Sequence, residues 1–272
     1  MVRLKKHYLV AGIWWAIGVI ATIYLYLFLD VTGPEWGVVW GPQRLLLMWV
    51  PAILVALPMA YLTIMEQASN PWMLAPIGRY APGVKYKLLY PRRYVEIAVG
   101  AAAIAAFDAI ALPFTGVSLC CIGLIFIANF FGPFTVFSAI VLAWIIEVLF
   151  GFGLTAGSGP LFIIVRGFND GSIYALAALF FWRFILPRIL KGEKGYVWLY
   201  IPYFAAWNAW HLVLWSGYAF SIGFGIPAYY PAVAEYLATC YPTNIISGII
   251  GCIATEVAVR AVTGRRKEET PS

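Results

Sequence analysis

Charge is scarce in this chain. Only 11% of its 272 residues are Asp, Glu, Lys or Arg, while 63% are hydrophobic. A soluble domain carries roughly a quarter charged residues, so water is not the main solvent here. Histidine is rarer still. His7 and His211 are the only two, too few for a buried pair of haem ligands in the apolar segments. No His/Glu helix motif of a zinc protease and no Ser-His-Asp set is present. The last apolar segment has no lysine for a retinal Schiff base, Lys267 falling in the tail. The four cysteines, Cys120, Cys121, Cys240 and Cys252, lie in or beside apolar segments. They have neither metal-ligand spacing nor the pattern of a disulfide framework, and read as small packing residues. The Gly-rich stretch 151–159 lacks the lysine of a phosphate loop. No metal and no cofactor is expected.

Apolar runs fill the space that charge leaves. A span needs about 20 mostly apolar residues, and runs of that kind fall at 8–29, 44–65, 93–112, 116–131, 133–151, 160–187, 196–222 and 232–262. The first follows Arg3, Lys5 and Lys6, as a signal peptide would. It is too long for one and no small-residue cleavage site follows, so it reads as a retained helix. Gly132-Pro133 is a tight turn or a kink between the fourth and fifth runs, and Tyr241-Pro242 interrupts the last.

The net charge of +6 is arranged by side. With the first residue inside, Arg3, Lys5, Lys6, Arg79, Lys85, Lys87, Arg92, Arg93, Arg183, Arg188, Lys191, Lys194, Arg260, Arg265, Arg266 and Lys267 all fall on the cytoplasmic face. Only Arg44 and Arg166, of 18 basic residues, do not. That asymmetry is what the positive-inside rule demands of a correct span count. It makes the basic residues a topology signal and not a nucleic-acid surface. The expected fold is all-α: a polytopic bundle of about eight transmembrane helices in the cell membrane, with N and C termini cytoplasmic. Residues 1–70 form a two-helix hairpin, 71–92 a Pro-rich basic loop, 93–264 a six-helix body and 265–272 a disordered tail. In the loop, Trp72, Tyr80, Tyr86 and Tyr90 beside basic residues suit the headgroup boundary. The loop is either a plain linker or a docking surface for a cytoplasmic partner.

Ionisable groups inside a span are costly and so mark a partner or a task. Asp108 and Glu147 each lie about one turn from the outer end of their helices. Arg166, Asn169 and Asp170 occupy the outer half of the sixth. Asn208 and His211 stand among Trp207, Trp210 and Trp215 in the seventh. Four helices thus bring polar groups to one depth, which suggests an outward-facing, aromatic-walled cavity. The competing reading is a closed network: Arg166 and Asp170 are four apart and can pair on one helix face, while Asp108 and Glu147 neutralise the arginine or snorkel outward. In the third helix, Ala101/Ala105, Ala102/Ala106 and Ala105/Ala109 are small-residue steps that admit another helix closely.

The six-helix body resembles the membrane substrate-binding (S) components of energy-coupling factor vitamin importers. The likeness rests on the steps at Ala101, Ala105 and Ala109, on Asn129-Phe130-Phe131-Gly132-Pro133, and on the Gly-rich loop that leads through Gly159-Pro160 to a long helix ending Arg183 to Arg188. It covers about residues 93–262 and leaves the front hairpin outside. The resemblance implies an outward-facing site for a vitamin-like small molecule. It also implies contact between Ala101, Ala105 and Ala109 and a transmembrane coupling subunit, with ATPase subunits on other chains. The expected function is therefore the substrate-binding subunit of a small-molecule importer, with ligand among the seven polar residues and stacked on Trp207, Trp210 or Trp215. The rival is a structural or assembly subunit of a membrane complex. An intramembrane enzyme using Asp108, Glu147 or His211 ranks third, because no catalytic set is recognised.

Overall fold

The computed structural model describes residues 6–28, 46, 49–109, 120–151, 160–193, 245–246 and 248–264. Among these, every regular element is helical. In chain order they are α1 (Lys6–Phe28), α2 (Trp49–Ala68), α3 (Pro71–Leu74), α4 (Pro91–Ala109), α5 (Cys120–Phe131) and α6 (Pro133–Phe150). Next comes α7, which opens at Pro160–Phe180 and continues through a π turn, Phe181–Ile185, into Leu186–Lys191. The last is α8, residues 248–264. Four stretches, Lys6–Leu25, Trp49–Ala68, Pro133–Phe150 and Ile164–Lys191, are long and apolar enough to cross a bilayer. By length and composition these four are the helices of a membrane protein. The expected span 196–222, most of the interrupted segment around Tyr241-Pro242, the loop 152–159 and the tail 265–272 lie outside the described residues.

Proline and glycine set the helix boundaries. Pro71, Pro91, Pro133 and Pro160 each occupy a first helical position, where the missing N–H costs no bond and φ is already helical. Gly151 and Gly192 end α6 and α7 at φ of 69° and 74°, a left-handed conformation that glycine adopts without Cβ strain. At the Gly132-Pro133 step, Gly132 has φ 89° and ψ 178°, so α5 stops and α6 starts afresh. The Phe134 N–H, freed at that start, donates to Gln67 Oε1 at 2.8 Å. A Cβ on Gly132 would lie 2.9 Å from Gln67 Nε2, so glycine meets both the backbone and the packing demand.

The core forms around α6, which packs on α4 on one side and α7 on the other. Small residues let the helices close. Gly100 of α4 faces Ala139, and Gly167 and Gly171 of α7 face Val141 and Phe137. Ala139, Ile140, Ala143 and Trp144 of α6 are fully buried in consequence. With no hydrophobic drive between helices in lipid, such close packing supplies the attraction. The front hairpin packs onto this body through α2, which runs against α7. Outermost is α1: 17% of its span is buried against 61% of Ile164–Lys191, and Leu9, Ile13, Ile17 and Ile20 face outward. It meets α2 where Gly18 touches the Leu54 backbone, in a second π turn, Ala52–Ala56.

The small-residue steps of α4 divide between its two faces. Ala101 and Ala105 are 0% and 3% exposed and lie in the chain's own core with Ile104. Positions 101, 104, 105 and 108 share one helical face, and that face turns inward. The small residues left outward are Ala102, Ala106 and Ala109.

Candidate functional site

Among the described residues two polar assemblies interrupt the apolar core, one at each end of the bundle. The first joins the end of α4, the end of α6 and the first half of α7. Because α6 and α7 run in opposite senses, Glu147 in the last turns of one meets Arg166 near the start of the other. The Arg166 Nη1 lies 3.9 Å from Glu147 Oε2 and its Nε 3.2 Å from Asp170 Oδ2. Its guanidinium carbon sits 3.8 Å from the centre of the Trp144 ring, cation over π face. Asp108 arrives from α4, near enough for its charge to act on Asp170. Asp108, Glu147, Asn169, Asp170 and Arg166 are all less than a tenth exposed. Asn169 Oδ1 is buried with no hydrogen-bond partner among the described residues.

Sequence reasoning placed Asp108, Glu147, Arg166, Asn169 and Asp170 at one depth, and the helices bring them together. The ring beneath Arg166 is Trp144, which sequence reasoning did not single out. The signal was available: Trp144 precedes Glu147 by three and so shares its face. The remaining expected site residues, Trp207, Asn208, Trp210, His211 and Trp215, lie outside the described residues. Chemically, the cluster offers buried carboxylates, one guanidinium and one amide carbonyl. Among the described residues no group of His, Cys, Asp and Glu is arranged to hold a metal ion.

The second assembly, at the other end, was not anticipated. Glu66 closes α2 fully buried. It accepts from Arg183 Nη2 of α7 at 2.6 Å and from Asn70 Nδ2 at 3.3 Å, and it pairs with His7 Nε2 of α1 at 2.9 Å. One carboxylate thereby ties three helices. Beside it Gln67 donates to the Met73 carbonyl at 3.2 Å. Arg93, 2% exposed, donates to the Phe131 carbonyl at 2.9 Å, to Thr135 Oγ1 at 2.8 Å and to the Leu74 carbonyl at 3.3 Å. It also lies 3.2 Å from Glu96 Oε2. These bonds serve carbonyls released where α3 and α5 end. Tyr90, in the loop before α4, has its phenol pushed above its ordinary value, first by burial, and so stays a donor beside Glu96.

The start of α1, the end of α2, the loop after α3 and the end of α8 share this end of the molecule, through His7–Glu66 and the approach of Thr263 to Gly78. Arg79, Arg92, Arg93 and Arg183 lie there too, and the Asp108–Arg166 cluster lies at the opposite end. No known protein family, characterised protein or solved structure matches this chain.

Proposed function

We propose that the chain is the substrate-binding membrane subunit of a small-molecule importer, taking its ligand at the Asp108–Glu147–Arg166–Asp170 cluster. The observation that carries this is the convergence of four ionisable groups from three helices, buried together in an apolar bundle. Charged groups in a membrane interior are costly and mark solute or ion paths. The buried Asn169 carbonyl oxygen adds an acceptor for a polar ligand. In this reading the arginine-rich end is cytoplasmic by the positive-inside rule, both termini are on that side, and the cluster faces outward. The segment 196–222 completes eight spans and lends Trp207, Asn208, Trp210, His211 and Trp215 as walls. The likeness to energy-coupling factor S components then makes the ligand vitamin-like. A coupling subunit and two ATPases are the partners, with Ala102, Ala106 and Ala109 as the small-residue face open to another helix.

The test is retention of ligand. Small molecules released from the purified wild-type protein are compared with those from Arg166→Ala and Asp170→Asn. Loss of a specific compound in the folded variants is expected, and equal retention would remove the site.

A second reading, a structural subunit of a larger complex, has one observation in its favour. An apolar groove of about 270 Å³ runs between α1 and α2, lined by Tyr8, Trp15, Met59 and Leu62 among others, and admits side chains of a partner helix.

A further inference from the structure

At the arginine-rich end, the start of α4 and the loop after α3 enclose a cavity of about 80 Å³ against α5 and α7. That is several times the roughly 10–15 Å³ needed to hold one water, so a tetrahedral oxyanion can enter. Its polar lining is Arg79, Arg92, Arg93 and Glu96, with Phe131 and Trp182 among the apolar walls. Three cations face one carboxylate, whose Oε1 accepts from Arg92 Nε at 3.1 Å and whose Oε2 lies 3.2 Å from Arg93 Nη1 with no hydrogen bond among the described residues. The lining is therefore electropositive by two charges.

Two independent features point to an anion. Arg93 places both terminal nitrogens on protein oxygens, yet its Nε–H is buried and makes no hydrogen bond among the described residues. A buried charged donor left without an acceptor is costly. The second feature is position: Arg92 and Arg93 sit in the first turn of α4, a 19-residue helix with no acidic residue there. A helix N-terminus carries partial positive charge and favours anions, so two arginines at that point oppose the helix dipole unless an anion joins them.

We propose that this cavity binds the phosphate group of an anionic ligand, with Arg93 beneath it and Arg79 and Arg92 closing over it. Arg79 and Arg92 are exposed, so the phosphate reaches the site from the membrane surface or from solution. Its source is either the headgroup of an anionic lipid or a soluble phosphate, and both present the same oxygens to the arginines. The site lies at the opposite end from the Asp108–Arg166 cluster and stands whether or not that cluster binds a solute.

The test uses the full chain in mild detergent. Native mass spectrometry measures adducts with phosphatidylglycerol and with diacylglycerol of the same chains. Thermal unfolding measures stabilisation by millimolar inorganic phosphate over chloride at equal ionic strength. The variant is Arg79→Gln/Arg92→Gln, since both side chains are exposed and their removal spares the buried Arg93 contacts. Retention of phosphatidylglycerol over diacylglycerol, weakened about tenfold in the variant, assigns a lipid headgroup. Stabilisation by phosphate, lost in the variant, assigns a soluble source. Either result supports the site. Wild-type protein that distinguishes neither pair overturns it, as does a folded variant that binds as wild type does.

Discussion

Removal of the Glu66 carboxylate tests how the front hairpin is fastened to the body. In Glu66→Ala the contacts to His7, Arg183 and Asn70 disappear together. Their costs differ. The Arg183 side chain is 41% exposed and rehydrates, which discounts its share toward the 0–1 kcal/mol of surface pairs. The side chain of His7 is 9% exposed, so its ring nitrogen is stranded at about 1–3 kcal/mol. Relief of the desolvation of Glu66 itself offsets part of this. The net expected loss is about 2–3 kcal/mol, and it falls on the junction of α1 and α2 with α7. Thermal unfolding in detergent, followed by tryptophan fluorescence, is the assay. Glu193→Ala is the control, because Glu193 pairs with Arg188 at 3.7 Å with both side chains more than 40% exposed, and a loss under about 1 kcal/mol is expected there. If the two variants unfold at the same temperature, Glu66 is not the fastening and the reasoning fails.

Three further outcomes are expected. Gly18→Leu places a side chain into the Leu54 backbone and should separate α1 from α2, read as increased labelling of a cysteine introduced at Ala11, which is buried in the native protein. Gly132→Ala adds positive-φ strain to a 2.9 Å clash with Gln67 and should destabilise by more than the roughly 1 kcal/mol that a compatible Gly→Ala change gains, measured by the same unfolding assay. Arg166→Met leaves the carboxylates of Glu147 and Asp170 without their guanidinium. It should destabilise by about 3–5 kcal/mol, and adding Asp170→Asn should recover part of that, whereas additive losses would show that the pair is not coupled.

The sequence made one polar assembly legible and hid the other, for a physical reason. Asp108, Glu147, Arg166 and Asp170 interrupt apolar runs, where an ionisable residue is costly and conspicuous, so their convergence could be read from depth alone. Glu66, Arg93 and Arg183 sit near helix ends, where charge is cheap. There Arg93 and Arg183 read as topology markers and Glu66 as the start of a loop, although the fold buries Glu66 and Arg93 almost completely. Helix starts at Pro133 and Pro160 were visible because proline is tolerated there and breaks helices elsewhere, whereas Pro71 and Pro91, which also open helices, read as part of the loop 71–92. The face that α4 turns inward was not visible. From Ala101 to Ala106 every residue is small or apolar, so no polar stripe marks the outside, and only packing against Ala139 and Ile127 decides it.

The central claim is that the chain binds a small molecule for uptake through partner subunits. Mass spectrometry of the tagged protein, purified under mild detergent from its native membrane, tests this most directly by reading both bound compounds and co-purifying chains. The account expects a polar small molecule together with ATP-binding-cassette subunits, the compound lost in Asp170→Asn. A defined set of other membrane subunits, with no ATPase and no bound compound, would contradict it and make the chain a structural component.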